Sequence, residues 1–144
     1  MINFIFLVNK LGQTRIAQYY TELPPLEKRT LESELVRKCL SRDDSKCSII
    51  LHRNFKVIYR RYVSLYFIIG VDLTDENEYT YFSFIHLLVE TLNNYFEKVC
   101  ELDIIMNMEK VHYIFEEMVQ NGNIQEACKA KIIEPLLMLD RISQ

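Results

Sequence analysis

Residues 2–9, Ile2-Asn3-Phe4-Ile5-Phe6-Leu7-Val8-Asn9, form a nearly continuous apolar run rich in β-formers. A run of this length suits a strand buried on both faces. Lys10-Leu11-Gly12-Gln13 supplies a turn in which Gly12 can take a positive φ, and 14–20 returns as a second strand. Three more strands are expected after residue 47. Residues 48–52 form a short one. Over 55–62, Phe55, Val57, Tyr59 and Arg61 share one face; over 63–71, Val63, Leu65, Phe67, Ile69 and Val71 do the same. Side chains alternate across a strand, so each segment offers two faces. Asn54 falls in the turn between the first two of these three strands.

Between the two strand groups the period changes. Pro24-Pro25 marks a helix start, and over 26–40 Leu31, Leu35 and Cys39 recur every four residues, flanked by Val36 and Leu40. This is an amphipathic helix with one buried stripe. The polar stretch 41–46 reads as a loop. A longer helix is expected over 75–99, with Asp75 as a possible cap and Glu78 three residues on. One stripe runs through Phe82, Ile85, Val89, Leu92, Phe96 and Val99 in steps of 3, 4, 3, 4 and 3, and a second through Tyr81, Phe84, Leu88 and Tyr95. Two stripes predict burial on two sides, which in a small domain implies a partner chain. Further helices are expected over 108–120, stopped by Asn121-Gly122, and over 128–141, where Pro135 starts or kinks the last turns. The order β-β-α-β-β-β-α-α-α gives a single domain over 1–144: an antiparallel sheet with helices on both faces, of class α+β.

Composition narrows what such a domain can do. At 144 residues and 49% hydrophobic the chain can fill one core. Its formal net charge of −3 gives no global field for nucleic acid. With only three glycines there is no phosphate-cradling loop, and no Walker A, GxGxxG, GxSxG, HExxH or EF-hand pattern occurs. Cys39, Cys47, Cys100 and Cys128 are widely spaced, which reads as reduced, mostly buried thiols and not as a metal or disulfide framework. His86 on the long helix reads as a hydrogen-bonded packing residue. No catalytic residue, cofactor or metal is expected. The apolar start of the chain is too short for a membrane span, and Ile2 is not the glycine that myristoylation needs. The one local charge feature is Arg53, Lys56, Arg60 and Arg61, which strand alternation divides between two faces.

Several motifs in register carry a resemblance. Val57-Ile58-Tyr59-Arg60, four residues, then Leu65-Tyr66-Phe67 resembles the signature of clathrin-adaptor small chains. So do Cys100-Glu101-Leu102-Asp103-Ile104 with Asn107, and Val8-Asn9-Lys10 followed by Gly12-Gln13-Thr14-Arg15. Lys28-Arg29-Thr30-Leu31-Glu32 and Pro135-Leu136-Leu137-Met138-Leu139-Asp140 resemble the small (sigma-type) chain of the fourth adaptor-protein complex. The resemblance implies a longin-like fold, a five-stranded antiparallel sheet sandwiched between helices. It implies a non-enzymatic subunit of a heterotetramer with two large chains and a medium chain. The complex would be recruited by an ARF-type GTPase to trans-Golgi or vesicle-coat membranes from the cytoplasm. There it would sort transmembrane cargo by its cytosolic tails.

The resemblance also implies a peptide site. In related small chains a hydrophobic pocket accepts the paired leucines of an acidic dileucine signal. The matching positions are Val63, Leu65, Val89 and Val99, with Lys98 at the rim and Arg15 holding the acidic side of the signal. Val63 replaces a small alanine and narrows the pocket, and Lys98 replaces a short polar residue. From the residues alone, Val63, Leu65, Val89 and Val99 read equally well as sheet–helix core. The alternative function is a stand-alone longin-type regulator that binds a small GTPase or a tethering factor.

Overall fold

The computed structural model describes residues 1–41, 49–62, 65–76, 78–124 and 135–141. The expected loop from residue 42 on, Val63, Cys47, Cys128 and the first part of the last expected helix lie outside the described residues.

Five strands form one sheet: β1 (Ile2–Asn9), β2 (Thr14–Tyr19), β3 (Ile49–His52), β4 (Phe55–Tyr62) and β5 (Leu65–Asp72). Their order is β2-β1-β5-β4-β3, and every neighbouring pair is antiparallel. The order explains the apolar runs. β1 and β5 each have a strand on both edges and helices on both faces, so all of β1 and all of β5 but Asp72 are buried. β2 and β3 close the two edges and are less completely buried.

Helix α1 (Pro25–Ser41) covers one face. Its stripe Leu31, Leu35, Val36 and Cys39 packs in one core with Phe4, Phe6, Val57 and Ile68. The other face carries α2 (Glu78–Phe96), α3 (Glu101–Met106), α4 (Met108–Met118) and a last helix α5 at 135–141. There Ile5, Leu7, Phe67 and Ile69 share a second core with Ile85, Leu88, Leu92, Phe115 and Leu136. This is the longin-like α+β sandwich expected from the sequence.

Four details differ from expectation. Both stripes of α2 are buried within the chain: Tyr81, Phe84 and Leu88 lie in the same core as Val111, Ile114 and Phe115 of α4. The second stripe is covered because α4 and α5 occupy the same side of the sheet, so α2 by itself does not imply a partner. Helix α3 falls between the two expected helices; it is six residues long with one buried side chain, Ile104, too little for periodicity to reveal. Its signal was the start: the Cys100 amide donates to Asp103 Oδ2 at 3.1 Å, as in a capping box. α4 ends at Met118 and not at Asn121-Gly122, which instead turns a small hairpin, β6 (Val119–Gln120) to β7 (Asn123–Ile124), with φ of 52° and 82°. Both signs are what a type I′ turn requires. His86, on the outer side of α2, is exposed and pairs with Glu90 one turn on, at 2.8 Å.

Candidate functional site

The site begins at the β1–β2 turn. Asn9 ends β1 and is 3% exposed. Its Oδ1 accepts from the amides of Leu11 at 3.0 Å and Gln13 at 2.8 Å, which closes the turn. Its Nδ2 donates to Gln13 Oε1 at 3.0 Å and to Glu101 Oε1 at 2.9 Å. The buried amide thereby satisfies itself and aims two acceptor oxygens at one place. Arg15 occupies that place. Its Nε donates to Glu101 Oε1 at 2.6 Å and its Nη2 to Gln13 Oε1 at 2.8 Å. The hydrogen bond from Asn9, then the one from Arg15, holds the Glu101 carboxyl below its ordinary range, so it stays ionised.

The aliphatic residues lie at the same end of the sheet. Leu65 opens β5 and stands opposite Asn9. Val99 precedes Glu101 by two residues, and its amide donates to Asn93 Oδ1 at 2.9 Å. Asn93 in turn donates to the Tyr62 hydroxyl at 2.9 Å, tying the end of α2 to the end of β4. Val89 lies one helical turn before Asn93. Lys98 is exposed in the short link after α2, where Glu97 takes a φ of 68°. The structure therefore brings Arg15, Leu65, Val89, Lys98 and Val99 to one end of the sheet.

Leu65, Val89 and Val99 are 1%, 5% and 3% exposed and belong to the core that holds Phe67 and Leu92. Their surfaces are covered by the chain itself. Two surface clefts lined by described residues lie elsewhere. One, of about 440 Å³, runs between the β1–β2 turn and α1 over Gly12, Val36 and Leu40. The other, of about 530 Å³, lies between Tyr19, Lys28 and Asn121.

The basic cluster of β4 disperses. Arg53 binds Glu34 at 2.9 Å and Lys56 binds Glu78 at 3.0 Å, both at the end of the strand away from Arg15. Arg60 and Arg61 sit at the other end, with the Arg61 guanidinium 5.9 Å from the centre of the Tyr66 ring. Among the described residues no group of three or more His, Cys, Asp or Glu side chains could hold a metal ion, and no helix is long and apolar enough to cross a membrane. Exposed apolar side chains include Leu102, Ile105 and Met106 of α3, Met108 of α4, and Leu137, Met138 and Leu139 of α5. Sequence reasoning placed the partner-facing surface on α2 and missed these. It also missed the parts that Asn9, Gln13 and Glu101 play, although all three stand in the quoted motifs.

Comparison with known proteins agrees along the whole chain. The family model of the clathrin adaptor complex small chain matches residues 1–143. The AP-4 complex subunit sigma of Arabidopsis thaliana is 56% identical over 140 residues, 97% of each chain. The AP-4 complex subunit sigma-1 of Homo sapiens is 47% identical over 144 residues, 100% of this chain and 99% of that one. Among solved structures, a chain of a full-length AP-3 complex in a stretched open conformation (itself a homology model) superposes with a TM-score of 0.79. It is 25% identical, over 99% of this chain and 95% of that chain.

Proposed function

This chain belongs to the clathrin adaptor complex small-chain family, and from that premise we propose that it is the sigma subunit of an AP-4-type adaptor complex in vesicle-mediated transport. The observation that carries the reading is identity of about half or more to AP-4 sigma subunits over nearly the full length of both chains. In this reading the chain packs on a large chain, beside a medium chain, and works as a peripheral component of trans-Golgi or vesicle-coat membranes. An ARF-type GTPase recruits the assembled complex. The exposed apolar side chains of α3 and α5 support a subunit role, since large apolar side chains left in solvent are what a partner chain covers.

The same reading assigns cargo selection to the Arg15 end of the sheet. An acidic residue of a cytosolic tail meets Arg15 and Lys98, and two aliphatic side chains enter among Leu65, Val89, Val99 and Val63. Each leucine contributes about 1.5–3 kcal/mol on burial, and the guanidinium adds a charge-assisted hydrogen bond. The three described aliphatic residues are covered, so binding includes an opening of the surface above them, and affinity is reduced by that cost. A carboxylate introduced at Val89 would be buried without a partner, so varying the ligand is the cleaner test. The assembled complex is titrated with an acidic dileucine peptide and with its leucine-to-alanine form. Selective binding of the first, weakened by Arg15→Glu, is the expected result. Equal binding of both, or of neither, removes the cargo site and leaves the chain as a scaffold for its large partner.

A further inference from the structure

Two stretches that lie 86 residues apart in the chain meet at one guanidinium. The turn that follows β1 delivers Asn9, Gln13 and Arg15; the start of α3 delivers Glu101. Arg15 is about a third exposed at 32%, and Glu101 at 31%. A surface ion pair between two long side chains is ordinarily loose. This one is not built that way. Glu101 Oε1 is also held by the buried Asn9, whose other amide atom is fixed by the turn's own backbone. Gln13 Oε1 is held by the same Asn9 and accepts a second hydrogen bond from Arg15. Both acceptors address the same edge of the guanidinium, Nε and Nη2. Among the described residues Nη1 makes no hydrogen bond.

We infer that Asn9, Gln13 and Glu101 are positioning residues, which grip Arg15 by its Nε edge and present its Nη1 end to the acidic residue of an incoming peptide. The inference rests on the cargo reading above and gives it a mechanism. A long arginine side chain that is free must give up rotamer freedom to grip a carboxylate. One already held gives up less, and the saved entropy appears as affinity. The fixed direction also selects: a carboxylate can approach only the open end of the fork, so its place along the peptide relative to the two leucines is specified. Glu101 opposes the ligand's charge while it orients the arginine. Recognition therefore relies on directed hydrogen bonds more than on the local field.

The test compares two peptides on the assembled complex, an acidic dileucine peptide and the same peptide with its acidic residue changed to the amide. The ratio of their affinities reads the cations that meet the acidic residue, Arg15 and Lys98, and a Lys98→Met background isolates the share of Arg15. For the unmodified complex this ratio is expected to be on the order of tenfold, the value of one charge-assisted hydrogen bond. Glu101→Leu and Gln13→Leu should each bring the ratio towards one, and taking the ratio cancels any change in affinity common to both peptides. Glu101→Gln keeps an acceptor oxygen and should restore most of the ratio. A ratio that survives or grows in Glu101→Leu overturns the inference, because Glu101 is then a bystander or a competitor for Arg15. Should Glu101→Leu fail to assemble, Gln13→Leu, on the surface turn, decides by itself. A wild-type complex that selects leucine peptides but keeps its ratio in the variants removes this inference alone. One that does not distinguish leucine from alanine removes the cargo reading and this inference together.

Discussion

Side chains in the two cores have unequal weight. Phe67 is fully buried at the centre of β5 and faces α2 across the sheet. Phe67→Ala removes a ring that the surroundings cannot fill, and about 3–5 kcal/mol of stability should go with it. Thermal unfolding of the co-purified complex measures this, and an unshifted transition would exclude the residue from the core. Phe96, on the first stripe of α2, is only half-buried and packs edge-on against Tyr95, with ring centres 4.7 Å apart. On the opposite face of the sheet the Phe4 ring lies directly over Gly70, its partner across the ladder. A Cβ at Gly70 would stand 2.0 Å from Phe4 Cζ, so this glycine is kept for the aromatic ring and not for the backbone.

At the level of elements, the weakest join is the edge strand β3, which α1 ties down with a charged clamp. His52, 5% exposed, accepts a hydrogen bond at Nδ1 from Lys38 Nζ, 2.7 Å away, and its Nε2 lies 2.9 Å from Glu34 Oε2. The arrangement requires a neutral ring with its proton on Nε2. Burial first, then Lys38, hold the imidazole below its ordinary value of 6.5; Glu34 opposes them and Arg53 adds to them. A histidine held low in the folded state is protonated more readily when unfolded, so folding is disfavoured as the pH drops. The join should be at full strength above about pH 6.5 and weaken as the pH falls below it. Urea midpoints of the purified protein between about pH 8 and pH 5 should show that slope, and His52→Gln should flatten it. Equal slopes in the two proteins would remove His52 as the cause. Glu101 and Asp140 are carboxylates held low by their partners, so they lose their contribution only at more acid pH.

For the whole molecule, the question is which surface is unfinished. α2 is covered on both stripes by the sheet and α4, whereas α3, the start of α4 and α5 leave leucine, isoleucine and methionine in solvent. The chain expressed alone should self-associate or precipitate, and co-expression with its large chain should rescue it. Replacing Leu102 and Met106 with Ser and Gln should improve the behaviour of the isolated chain and reduce its capture by the large chain. A monodisperse isolated chain with no gain from its partner would count against the subunit reading. Such substitutions on α2 would instead damage the fold.

Local patterning carried most of the architecture. The alternation in β4, the continuous apolar runs of β1 and β5 and the four-residue spacing in α1 determined element type, because burial of one face is a short-range property of the sequence. The motif around Arg15 was legible too, by resemblance. What the sequence left open were matters of which surfaces meet. The same valines and leucines serve a core or a pocket, and Leu65, Val89 and Val99 are buried where the end of α2 is tied to β4 through Asn93 and Tyr62. The second stripe of α2 looked like a docking face until α4 was seen beside it. Glu101 and Arg15 are remote in sequence and joined in space, and no periodicity records a long-range hydrogen bond between two polar side chains. Helical and strand periods report which residues must leave water; only the tertiary structure decides against what.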